Sequence, residues 1–174
     1  PDQVENKKKN KRIKKKIKEE KMLDGGAMLF DKKIFKKIKG FDNNIFLYYE
    51  ENDYYHKCNN HNLKLYLIKN SFFYHSQKGD SSSAIFNNSK EKFYAYLMAG
   101  WHGQWSKFYY LKKYYGFTYS IYKCSPNLIV NIFQLIIKAI TFSKKTKYIY
   151  FKIEGLVSSI IGLPSFKRSK YDKN

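Results

Sequence analysis

Arginine is almost missing from a chain that is otherwise strongly basic. Only Arg12 and Arg168 are arginines among 34 lysines and arginines, against 14 acids, for a formal net charge of +20 over 174 residues. Charge of that size suggests nucleic acid or an anionic membrane surface. Arginine is the better bidentate ligand for phosphate and guanine, so its scarcity argues against a nucleic-acid reader. The lysine excess accompanies abundant Asn, Ile, Phe and Tyr, the joint bias an AT-rich coding sequence produces. A solvated surface is therefore the first reading, attraction to a membrane surface the second, and nucleic acid the last. Cysteine is scarce too. Cys58 and Cys124 lie far apart with no CxxC pattern, which excludes a disulfide framework and a zinc site as expectations and leaves reduced, cytosolic thiols as the default. The chain opens on a polar, charged run with nothing of a signal peptide in it, and no internal repeat is visible.

What is present divides by composition. Apolar residues make up 43% of the chain, enough to build a core. Residues 1–23, centred on KKKNKRIKKKIKEEK, predict a charged linker or exposed helix. From Asp24 the chain turns apolar. Gly25-Gly26 reads as a tight turn feeding a strand at Ala27-Met28-Leu29-Phe30. Asp31 caps a short helix with Ile34, Phe35 and Ile38 on one face, ended by Gly40 as a C′ glycine. A helix is expected over 50–59, then two short strands, 63–68 and 71–75, joined by a Lys-Asn turn. A long aromatic helix follows over 89–115, with Gly100 and Gly103 marking a kink or a close approach. Pro126 starts an apolar helix, NLIVNIFQLIIKAITF, which reads as a core helix or an interfacial membrane helix and is too short for a confident span. A last helix covers about 146–161, and 166–174 is a basic tail.

The few acids are not scattered. Glu50, Glu51 and Asp53 fall within four residues inside FDNNIFLYYEENDYYHK, residues 41–57, and His75 follows 24 residues after Glu51. Acids among aromatics lose hydration, which makes this the first place to look for chemistry. Their plainer role is to complement the positive end of a helix dipole. Trp101 and Trp105, one turn apart, suggest packing more than sugar stacking. His56, His61 and His102 read as surface or packing residues.

The order of pieces, Gly-Gly-Ala-Met-Leu-Phe, Lys39-Gly40-Phe41-Asp42, Phe-Leu-Tyr-Tyr-Glu50-Glu51-Asn52-Asp53, Lys57, a strand pair and His75 with Ser81 to Ser83 beyond, resembles the C-terminal half of the catalytic domain of family 2 glycosyltransferases. The closest branch is rhamnosyltransferase-like, and the resemblance spans about residues 24–165. It implies an α/β fold: a partial GT-A domain lacking its N-terminal nucleotide-binding half, since no βαβ run or Asp-x-Asp precedes residue 24, followed by C-terminal helices. On this view 24–86 is the acceptor-side part and 87–165 a helical extension at the membrane surface. It also implies inverting sugar transfer from a nucleotide-sugar donor to a glycan or lipid-linked acceptor in cell-surface polysaccharide synthesis, at the cytoplasmic, inner face of the plasma membrane. By the match Glu51 occupies the general-base position, normally Asp, with Glu50 and Asp53 as its neighbours or substitutes. Gly25, Gly26, Asp42 and Lys57 would contact substrate, Lys57 standing where Arg is usual. His75 would complete a divalent metal site (Mn or Mg) whose Asp-x-Asp belongs to the missing half. Two rival readings from other classes are a basic nucleic-acid-binding module and a membrane-peripheral protein without chemistry.

Overall fold

A computed structural model describes residues 17–22, 25–69, 71–72, 89–143 and 145–168, and the chain divides into two compact units, Pro1–Asp42 with Glu51–His75, and Asn43–Glu50 with Ser76–Asn174. The described residues are mostly helical, with a single small sheet.

In the first unit, strand β1 (Ile17–Glu20) pairs antiparallel with β2 (Leu65–Ile68), Ile17 opposite Ile68 and Glu20 opposite Leu65. Three sequence expectations change here. Residues 17–20 are a strand, not part of a linker or helix, because β2 supplies the hydrogen-bonding partner that a charged IKEE segment cannot signal by itself. Met28 to Phe30 form no strand; Met28 and Phe30 turn into the core beside Ile38, Tyr54, Tyr55 and Cys58. Ser71 and Phe72 are not in a strand, and the rest of the expected second hairpin arm, 73–75, lies outside the described residues.

Helix α1 (Lys32–Lys37) starts at Asp31, whose Oδ1 accepts from the amides of Lys33 (2.8 Å) and Ile34 (3.0 Å). Its end differs from the simple glycine stop. Lys39 takes the left-handed position at φ 61°, and Gly40 follows at φ 50°. The Gly40 amide then reaches the Phe35 carbonyl at 2.8 Å, closing a Schellman motif. Glycine is required at 40 because a Cβ there would lie 2.5 Å from the Phe35 ring. Helix α2 (Glu50–Asn60) ends the same way, with Asn62 left-handed and the Leu63 amide on the Cys58 carbonyl at 2.9 Å. Phe30, Phe35, Phe41 and Tyr54 interlock with ring centroids 4.9–5.7 Å apart, a packing that gains from edge and tilted geometries beyond the area buried.

The second unit is built on α3 (Ser89–Tyr115), α4 (Phe117–Ile140) and α5 (Thr146–Ile160). Helix α3 is continuous; Gly100 marks a close approach, whereas a Cβ on Gly103 would meet only the Tyr48 ring at 3.8 Å, ordinary contact. A Cβ on Gly100 would come within 2.5 Å of the Tyr148 ring. Gly155 of α5 sits directly on the Trp101 carbonyl of α3, leaving no room for a side chain. Around this crossing Leu97, Met98, Trp101, Trp105 and Phe151 form one core, and Phe108, Cys124 and Leu156 a second. The tryptophans are core residues, and Trp105 Nε1 donates to the Leu163 carbonyl at 2.9 Å.

Helix α4 contradicts two expectations. It begins at Phe117 and carries Pro126 inside it. The carbonyl of Tyr122, which loses its helical donor to Pro126, receives the Ser125 hydroxyl at 3.4 Å. Nor is α4 a core helix. Its buried residues are Ser120, Cys124 and Asn131, while Ile129, Phe133, Ile136 and Ile140 are exposed. These small and polar side chains, with Ile121 and Leu128 half-buried beside them, face the neighbouring helices, where Asn131 Oδ1 accepts from Lys152 of α5 at 3.1 Å; Ile129, Phe133, Ile136 and Ile140 face out. No helix among the described residues is long and apolar enough to cross a membrane.

Candidate functional site

The acidic cluster opens α2, so the carboxylates lie in the first turn, where the amide groups carry partial positive charge. A single helical turn holds two different environments. The Asp53 side chain is fully buried, and its Oδ2 lies 3.0 Å from Lys57 Nζ, one turn further along. Lys57 is itself largely buried and also donates to the Gly40 carbonyl at 2.8 Å. Asp53 and Lys57 thus clamp the Gly40-Phe41-Asp42 turn to α2. A compact ammonium suffices to bridge two acceptors, so lysine can stand at a position where the resemblance has arginine. Breaking such a buried pair leaves a charge without compensation, a far larger penalty than the pair's net worth.

Glu51 is set differently. It is half-exposed, and among the described residues its carboxylate makes no hydrogen bond or ion pair. The Gly25-Gly26 turn runs along it: a Cβ on Gly25 would lie 3.6 Å from Glu51 Cβ and Cδ. That is ordinary contact distance, so glycine at 25 is not demanded by crowding from Glu51. Gly26 is exposed, and Asp42 and Glu50 are half-buried. The structure therefore brings Gly25 and Glu51 together, joins Asp53 to Lys57 and Gly40, and leaves Glu50 at the helix start. His75 and Ser81 to Ser83 lie outside the described residues. Among the described residues no group of three His, Cys, Asp or Glu side chains is placed to hold a metal ion; the carboxylates here do not make such a site by themselves.

Two features of this region carry no sequence signal. Tyr48 and Tyr49, directly before α2, both have left-handed backbone, φ 64° and 69°. Bulky residues there cost of order 1–3 kcal/mol each and persist only where the surroundings enforce them. Within the second unit those surroundings are visible: the Leu47 carbonyl accepts from Ser106 Oγ at 2.8 Å, and the Tyr49 ring lies 5.5 Å from Tyr110. Phe46 packs on His102 at 4.9 Å under the Arg168 guanidinium at 3.6 Å. His102 is accordingly a buried packing residue, with Nε2 2.8 Å from the Lys167 carbonyl. The second feature is Tyr54, whose pKa is pushed up to about 12 by burial and then by the neighbouring Cys58; burial likewise raises the Cys58 thiol. Both stay protonated at neutral pH.

No protein-family model, curated protein or solved structure matches the chain.

Proposed function

We propose that the chain is the acceptor-side part of an inverting family 2-like glycosyltransferase, with Glu51 as its general base. The observation that carries this reading is the contrast within one turn of α2: Asp53 is sealed into an ion pair, whereas Glu51 is partly exposed against the Gly25-Gly26 turn. A base must meet its substrate, so Glu51 is the carboxylate suited to the task, and Asp53 and Lys57 position it. Glu51 takes the proton from the acceptor hydroxyl as the oxygen forms its bond to the anomeric carbon. The bond to the nucleoside diphosphate breaks on the opposite face, and the leaving group departs with the electron pair. A divalent metal bound by the donor-binding half would neutralise that diphosphate.

The first unit suits completion by more chain. A two-stranded ribbon is marginal alone, and β2 leaves Tyr66, Leu67 and Ile68 exposed. In a partial GT-A fold further strands would cover them. A lipid-linked acceptor at the inner face of the plasma membrane suits the basic surface and the outward apolar residues of α4. The rival reading of a membrane-peripheral protein without chemistry shares that surface but leaves the Glu51 setting without a purpose.

The test is sugar transfer by the chain joined to its nucleotide-binding half. Glu51→Gln should lower kcat by about 10²- to 10⁴-fold with the donor KM held, the usual worth of a general base. Retention of kcat within about twofold would refute the assignment.

A further inference from the structure

The outer face of α4 has the composition of a core and the position of a surface. Ile129, Phe133, Ile136 and Ile140 recur at helical spacing and form one stripe; Phe133 is 63% exposed and Ile140 71%. The helix then stops at Phe142, left-handed at φ 49° and 95% exposed. Twenty-four residues of helix are about 36 Å long, but the apolar part is only its second half. Such a helix lies in a membrane interface and does not cross the bilayer.

Charge selects the occupant. Helix α4 carries no acid, and the only acids between residues 89 and 168 are Glu91 and Glu154. Glu154 is taken by Lys167 at 2.6 Å. Lysines instead sit beside exposed rings: Lys123 is 5.6 Å from the Tyr119 ring and 5.8 Å from Tyr122, and Lys147 is 6.0 Å from Phe93. Rings with an ammonium beside them suit the depth of lipid phosphates. A second copy docked on the same stripe would bring together two lysine-bearing helices with no carboxylate on α4 to offset their charge. A recess of about 670 Å³, lined by Phe93, Leu135, Ser143, Thr146, Lys147 and Tyr150, opens beside the C-terminal half of α4. It is almost wholly apolar apart from its Lys, Ser and Thr, as a niche for lipid hydrocarbon below a phosphate would be.

We infer that α4 is a membrane-docking helix: its Ile129–Ile140 stripe seats in the surface of an anionic bilayer, with Lys123 and Lys147 at phosphate level. This rests on the reading of a chain working at a membrane surface and names the lipid charge and the residues. It is measured without nucleotide sugar, so its failure would leave the transfer chemistry standing with a soluble acceptor.

The experiment is co-sedimentation of the 174-residue chain with vesicles of phosphatidylcholine alone or with about one third phosphatidylglycerol. Partition into the anionic vesicles should exceed that into neutral ones by about tenfold or more. Phe133→Ser with Ile136→Ser should lower it at least about tenfold, and Lys123→Glu several-fold. The exposed positions should leave the melting temperature of the double variant unchanged. No partition of the parent chain, or partition indifferent to the double variant, overturns the inference. So does a dimer, seen by sedimentation velocity, that the double variant disperses.

Discussion

At the scale of single residues, the acidic cluster separates into a buried, ion-paired Asp53 and a half-exposed Glu51. Lys57→Ala removes the partner of a fully buried carboxylate and frees the Gly40 carbonyl. It should destabilise the fold by about 3 kcal/mol, seen as a lowered urea midpoint, whereas Glu51→Gln should leave that midpoint in place. Tyr54 gives a pH signature. Its pKa rises from 10.0 to about 12 on folding, so its contribution to stability is fully present below pH 10 and disappears as pH climbs from 10 to 12. Urea midpoints across that window should fall less steeply in Tyr54→Phe than in the parent chain; equal slopes would contradict the assignment. The cluster was legible in sequence because acids are rare here. Its division was not, since burial of Asp53 and exposure of Glu51 depend on which way α2 faces the Phe30, Phe35 and Phe41 rings. The strain at Tyr48 and Tyr49 was invisible for a related reason: nothing in tyrosine signals left-handed backbone, and the contacts that enforce it come from α3, far along the chain.

At the scale of elements, boundaries were readable wherever local chemistry decides them. The Asp31 cap and the spans of α2, α3 and α5 follow from caps, periodicity and the glycine at 162. The start of α4 did not follow, because Pro126 looks like a first-turn proline and the helix runs through it. Strand β1 failed for the opposite reason, its identity being set entirely by its partner. Which side of α4 faces inward could not be read either, for it is apolar nearly all round; the fit of Ser120, Cys124 and Asn131 against α3 and α5 decides it. The α3–α5 crossing depends on Gly155, which has no local signal because its crowding comes from the Trp101 backbone of another helix. Gly155→Ala forces a methyl into the Trp101 backbone and should cost about 1–3 kcal/mol or more by overpacking. Gly116→Ala, where a Cβ meets nothing within 4 Å, should cost only the strain of φ 85° and ψ 167°, about 1–3 kcal/mol in a region almost confined to glycine. Thermal unfolding of the two variants side by side measures the difference.

At the scale of the whole molecule, the +20 charge and the outward apolar face of α4 suit a surface that is both anionic and oily, and the Glu51 setting suits proton abstraction from a hydroxyl. The most direct test of the central claim compares Glu51→Gln, Glu50→Gln and Asp53→Asn in the chain joined to the nucleotide-binding half that the proposed function calls for, reading kcat and melting temperature together. The predicted result is a collapse of kcat at unchanged melting temperature for Glu51→Gln alone, with Asp53→Asn losing stability first. Full transfer by Glu51→Gln, or the collapse appearing in Glu50→Gln instead, would contradict it.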